Sequence, residues 1–223
     1  MRVLNLCLIW ACLSPAQVAQ KANERYRTAQ DRAAVMKNIL GAPNRADDIG
    51  AGAIAQSLGL KPGMAVADIG SGAGILLPFL SAAVGASGHV VGEDIFDDFL
   101  AKARETASSA NLTNVGFVKG TEHDPKLPAS TLDVAVTVDA YHHFDYPADM
   151  LAGIKRALKP GGRFVVVDYY KRAASMGPDF DANSHIRLDK DDMIREVEAN
   201  GFALVEVHDH VPGAQYIATF RAR

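Results

Sequence analysis

Residues 66–74 read Val66-Ala67-Asp68-Ile69-Gly70-Ser71-Gly72-Ala73-Gly74, an apolar run that closes on an acid and a glycine-rich turn. The helical pattern of residues 75–84 follows directly. A strand that turns sharply into a helix needs glycine where the backbone reverses, and again where a ligand approaches it closely. Working outward, short apolar runs recur at Ala65–Ile69, 89–93, Val115–Lys119, Leu132–Val138 and 163–169, separated mostly by helical patterns at 75–84, 96–110 and 148–158. Strands alternating with helices imply crossover connections, hence a mainly parallel sheet with helices on both faces. After a helical stretch at 190–200, stopped by Gly201, residues 202–207 and 215–220 flank a turn containing Pro212 and Gly213. So short a connection makes that pair antiparallel. The expected fold is α/β and doubly wound, its sheet ending in a C-terminal antiparallel hairpin.

Upstream of the loop, Tyr26, Ala29, Ala33, Met36, Ile39 and Leu40 fall at helical spacing and predict one helix over 23–40, ended by Gly41 and Pro43. A second helix is expected over 49–58 before Gly59. The first nineteen residues have a basic start at Arg2, an apolar run over 3–13 and then small residues through Ala19. This is the layout of a secretory signal peptide, with cleavage after Ala16 or Ala19. The run is well short of the roughly 20 residues a spanning helix needs, so no stable membrane span is expected in the mature chain. A lipid-attachment reading at Cys12 is disfavoured by Trp10, which stands where a small residue belongs. The chain is expected outside the cytoplasm if the signal operates and in the cytoplasm otherwise.

At 223 residues and 48% hydrophobic content the chain is sized for one α/β domain. Its 23 basic and 26 acidic residues, a net charge of −3, give no single-sign field to draw it onto phosphate backbones, so nucleic acid is not expected as a substrate. Both cysteines, Cys7 and Cys12, lie within the apparent signal. The remainder works without thiol chemistry or a cysteine metal site, which argues against arsenite-type substrates; no bound metal is expected.

Two details separate the glycine loop from a dinucleotide site. Its pattern is GxGxG, whereas dinucleotide folds place the third glycine one residue later. Asp68, two residues before the first glycine, would repel a pyrophosphate but suits the cationic amino group of a methionine moiety. The next strand ends at Asp94, twenty residues beyond Gly74, where a carboxylate can accept both ribose hydroxyls.

Taken in order, VADIGSGAG, HVVGEDIF, LDVAVTVDAYHHF and ALKPGGRFVVVDYY make residues 60–170 resemble the class I, Rossmann-like S-adenosylmethionine-dependent methyltransferases. The C-terminal GFALVEVHDHVPGAQYIATF looks like that family's closing antiparallel pair. The chain is most similar to a bacterial group that often carries export signals. The resemblance implies a seven-stranded sheet with its last strand reversed, S-adenosylmethionine as cofactor and a small-molecule methyl acceptor. The chain is thus expected to divide into a signal peptide at 1–19, an N-terminal helical segment at 20–60 and a methyltransferase domain at 61–223. The resemblance assigns Asp68, Gly70 and Gly72 to the methionine end and Asp94 to the ribose. For the adenine amino group it implies Glu122, with Asp124 as the alternative. Asp139, at the end of the fourth strand, joins the cofactor-binding residues.

Methyl transfer from a sulfonium is an in-line displacement on an activated carbon, so the protein supplies alignment and, for hydroxyl or amine acceptors, a proton acceptor. The segment Asp139-Ala140-Tyr141-His142-His143-Phe144 is expected to face the methyl, with His142 as candidate general base or as a group that shapes the pocket. Asp168, Tyr169 and Tyr170 end the fifth strand, and His185 lies in the connection after it, a region that often covers the acceptor. Two other functions compete: a protein that binds S-adenosylmethionine without transferring its methyl, and a nicotinamide-dependent oxidoreductase. The glycine spacing and Asp68 disfavour the latter, and no Tyr-x-x-x-Lys helix accompanies them.

Overall fold

A computed structural model describes residue 19 and residues 22–178 and 180–223. The signal-peptide expectation falls almost wholly outside the described residues. No described helix is long and apolar enough to cross a membrane.

The N-terminal segment departs from the single helix expected over 23–40. Asn23–Tyr26 is one 3₁₀ turn, α1 spans Ala29–Val35, and Met36–Leu40 widens into a π turn. Thr28 breaks the run: it sits in extended conformation and its hydroxyl accepts the Asp31 N–H, the arrangement of a helix N-cap. Short helices α2 (Arg45–Asp48) and α3 (Ala51–Ser57) lead to the domain proper.

There, β1 (Ala65–Ile69), α4 (Leu77–Val84), β2 (His89–Asp94), α5 (Asp97–Ser109), β3 (Val115–Lys119), β4 (Leu132–Val138), α6 (Pro147–Ala157) and β5 (Leu158–Tyr169) alternate. The chain continues through α7 (Ala182–His185), α8 (Lys190–Ala199), β6 (Phe202–Val211) and β7 (Gln215–Ala222). The seven strands lie in the order β3-β2-β1-β4-β5-β7-β6. The first five are parallel, while β7 pairs antiparallel with both β5 and β6. This is the expected seven-stranded sheet with a C-terminal antiparallel hairpin. β5 begins at Leu158 rather than 163, because Leu158 already pairs with Leu132 across an irregularity in the β4 register.

Alternation along the strands produces two cores. Ala67, Ala135, Phe164, Val166 and Ala218 face α6 and α8, packing with Leu151, Ile154, Met193 and Val197. Their neighbours Val66, Val134, Val136, Val165 and Ile217 face the other side, against Ile54, Leu58, Leu77, Leu80 and Ala103. Burial on both faces is why these strands read as continuous apolar runs. The strand order reverses between β1 and β4, and that switch point opens the crevice in which such sheets bind ligands.

Candidate active site

At the carboxyl ends of β1, β2 and β4 lies a cavity of about 680 Å³, a size that suits a cofactor-scale ligand. Gly70, Ser71 and Gly72 form its floor. Gly70 has φ of +72°, and a Cβ there would come within 2.8 Å of the Ala140 Cβ. Only glycine allows β1 and the end of β4 to approach so closely. Gly74, at φ +74°, has Leu77 and Ala103 where a Cβ would stand, so the third glycine serves the packing of α4 against α5.

Around this floor stand three buried carboxylates. Asp94 accepts the Gly72 N–H at 2.9 Å and the Phe96 N–H at 3.0 Å, which locks the acid to the loop. Glu93 accepts the Gly70 N–H at 3.4 Å through one oxygen, while its Oε1 is buried without a partner; the Ser71 hydroxyl is likewise unpartnered. Burial, reinforced by the Asp94 charge, pushes Asp68 up to about 7. Burial also pushes Asp94 up to about 6, against the backbone N–H groups that favour its charged form, and holds Glu93 well above the usual carboxylate range. Among the described residues none of the three forms an ion pair, and their leading electrostatic influences are burial and neighbouring acids. Desolvated carboxylates without a counter-charge are costly unless a ligand supplies one.

Asp139 also lines the cavity, and it differs in being compensated: Arg45 Nη2 approaches it at 2.6 Å and Gln215 Nε2 donates at 2.7 Å. Glu122 reaches the cavity with Thr121, Ile95 and Phe96. Asp124, the alternative for the adenine end, is instead held by Arg156 at 2.7 Å and by the Lys126 N–H at 2.8 Å. Asp68, Gly70, Gly72, Asp94, Glu122 and Asp139 are therefore brought together around one cavity.

His142 is close by but buried behind the cavity wall, 3% exposed. Its Nδ1 lies 2.7 Å from Asp168 Oδ1, and its backbone N–H donates to Asp168 Oδ2. The neighbouring His143 lines the cavity, its Nδ1 2.7 Å from Asn23 Oδ1. Asn23 donates in turn to the His143 carbonyl and to Asp145, so the N-terminal segment is clasped over this corner. Tyr26 completes the cover, edge-on to His143 and Phe99. Tyr169 and Tyr170 stay outside the cavity; Tyr170 binds Asp209 and packs beneath Arg172. His143 falls in the Asp139–Phe144 segment expected to face the methyl, whereas sequence reasoning missed Glu93, Arg45 and Tyr26 as wall residues. The acidic pair Glu93-Asp94 was a usable signal for the first, whereas the others depend on how the N-terminal helices fold back.

A family model described as "Methyltransferase domain" matches residues 60–210. Over 114 residues the chain is 32% identical to the ubiquinone/menaquinone biosynthesis C-methyltransferase UbiE of Ectopseudomonas mendocina, covering 51% of this chain and 44% of that protein. Over 194 residues it is 26% identical to the arsenite methyltransferase of Halobacterium salinarum, covering 79% and 50%. The chain thus spans about half the length of the curated relatives it matches. Among solved structures, a SAM dependent methyltransferase from Aquifex aeolicus superposes with a TM-score of 0.78 at 26% identity, covering 86% of this chain and 98% of the other.

Proposed function

The chain belongs to the methyltransferase domain family, and from that premise we propose that it transfers the methyl group of S-adenosylmethionine to a small-molecule acceptor. The observation that carries this reading is the set of three buried carboxylates, Asp68, Glu93 and Asp94, none of which forms an ion pair among the described residues. S-adenosylmethionine brings an ammonium and a sulfonium, whereas a pyrophosphate would add negative charge to the same wall. In this reading Asp68 with the Gly70–Gly72 backbone takes the methionine end, Asp94 takes the ribose hydroxyls, and Glu122 takes the adenine amino group between Ile95 and Phe96.

When bound, the cofactor supplies an electrophilic methyl carbon. The protein's part is to orient the acceptor and, where the acceptor loses a proton, to receive it. His142 is proposed for the second task, its Nδ1 fixed by Asp168 so that Nε2 is the basic nitrogen. His143, whose ring lies against that of His142, and Tyr26 line the cavity. The acceptor is a phenol, amine, carboxylate or carbon acid rather than arsenite, because both cysteines precede residue 13.

Calorimetry with S-adenosylmethionine, its demethylated product and NAD(H) tests the reading. Both forms of the methyl donor should bind much more tightly than the nicotinamide. A preference for NAD(H) would overturn the proposal; tight binding without turnover across those acceptor classes would leave a cofactor-binding protein that does not transfer.

A further inference from the structure

We propose that His142, His143 and His185 form a binding site for one divalent transition metal of the zinc type. The 3₁₀ turn Tyr141–His143 supplies the first two and the end of α7 the third. Their ring centroids form a near-regular triangle: 4.2 Å between His142 and His143, 5.1 Å from each to His185. One ligand nitrogen from each ring lies within 4.8 Å of the others. Tetrahedral zinc with bonds of about 2.0–2.1 Å sets nitrogens about 3.3 Å apart.

The surroundings orient the rings as metal sites do. A metal-ligating histidine donates its other N–H to a carboxylate or carbonyl, which fixes the tautomer and raises the basicity of the ligating nitrogen. Here His142 Nδ1 is held by Asp168 at 2.7 Å and His143 Nδ1 by the Asn23 side-chain oxygen at 2.7 Å, so both rings present Nε2. The His185 ring stands edge-on to Phe180 and to the other two histidines. Three imidazoles and no thiolate select zinc and its neighbours over magnesium or calcium, which take oxygen ligands. Three protein ligands also leave a fourth position open, as in zinc sites that bind a further ligand. Arg25, stacked on Phe180 beside His185, opposes the metal charge, and Asp168 beneath His142 offsets it.

This inference does not depend on methyl transfer. A bound metal takes the His142 Nε2 that a general base would use, so the two roles exclude one another in a single molecule.

Purified protein stripped with a chelator is titrated with zinc against a chromogenic competitor, and separately with cobalt. One equivalent of zinc should bind at about 1 micromolar or tighter, and cobalt should give the intense visible bands of tetrahedral coordination. His185→Gln should weaken zinc by at least about tenfold, and Asp168→Asn by about 10- to 100-fold. His185 is not on the cofactor cavity wall, so His185→Gln should still bind S-adenosylmethionine, showing that it folds. His123→Gln, at an exposed histidine beside Asp149, should leave zinc affinity unchanged. Less than half an equivalent of zinc, a pale octahedral cobalt spectrum, equal affinity in His185→Gln, or loss of binding in His123→Gln would each overturn the proposal.

Discussion

Arg45 reaches from α2 to the end of β4, where its Nη2 lies 2.6 Å from Asp139 Oδ2 with both side chains largely buried. Asp139 holds a left-handed backbone at φ +52° and shares its other oxygen with Gln215. One ion pair thus ties the N-terminal helices to the strand end that carries the cavity wall. Burial pushes Asp139 up, and the Arg45 charge opposes it.

Removing one partner of a buried pair leaves an uncompensated charge, at a cost of about 3–5 kcal/mol. Arg45→Met should therefore lower the stability measured by urea unfolding by about 3 kcal/mol. Arg45→Met with Asp139→Asn should recover most of that loss. A single substitution as stable as the native chain would show that the pair does not hold the segment in solution.

The buried carboxylates make cofactor binding depend on pH. Asp68 and Asp94, raised to about 7 and about 6, keep protons in the folded protein that the unfolded chain releases near pH 4. Between about pH 4 and 7 the folded state therefore binds more protons, and cofactor-free protein loses stability as pH rises through that window. A bound cation favours the ionised acids and so releases protons. Affinity for S-adenosylmethionine should rise about tenfold from pH 6 to 8, with proton release measured by calorimetry in buffers of different ionisation heat. Asp68→Asn should flatten that dependence. Asp94→Ala should weaken binding by about 1.5–3 kcal/mol, the scale for hydrogen bonds to a charged group. Affinity that stays level across this range would mean the acids do not face the ligand's charge.

For an acceptor that loses a proton, His142→Ala should lower kcat by about 10²- to 10⁴-fold and leave cofactor affinity nearly unchanged. A rise in KM at native kcat would instead make His142 a group that shapes the acceptor pocket. Steady-state kinetics on the first acceptor found in a product-release screen separates the two, and full activity in the variant would remove both roles.

The sheet was legible from residue order because each element is specified within a window of about ten residues. Ala65–Ile69 and Leu132–Val138 are apolar along their length because both faces are covered, and Pro212 with Gly213 sets up the β6–β7 hairpin. The glycine loop and its acids were readable for the same reason: turn geometry demands glycine locally, and strand ends at a switch point are where ligands bind. Tertiary structure alone decided what encloses that loop. Thr28 breaks the expected long helix, and the shorter pieces bring Asn23, Tyr26 and Arg45 onto the cavity. It also placed His185 beside His142 and His143 and turned Asp168 onto His142. Such contacts join residues separated by tens to more than a hundred positions, and their energies arise from burial and pairing that no local pattern records.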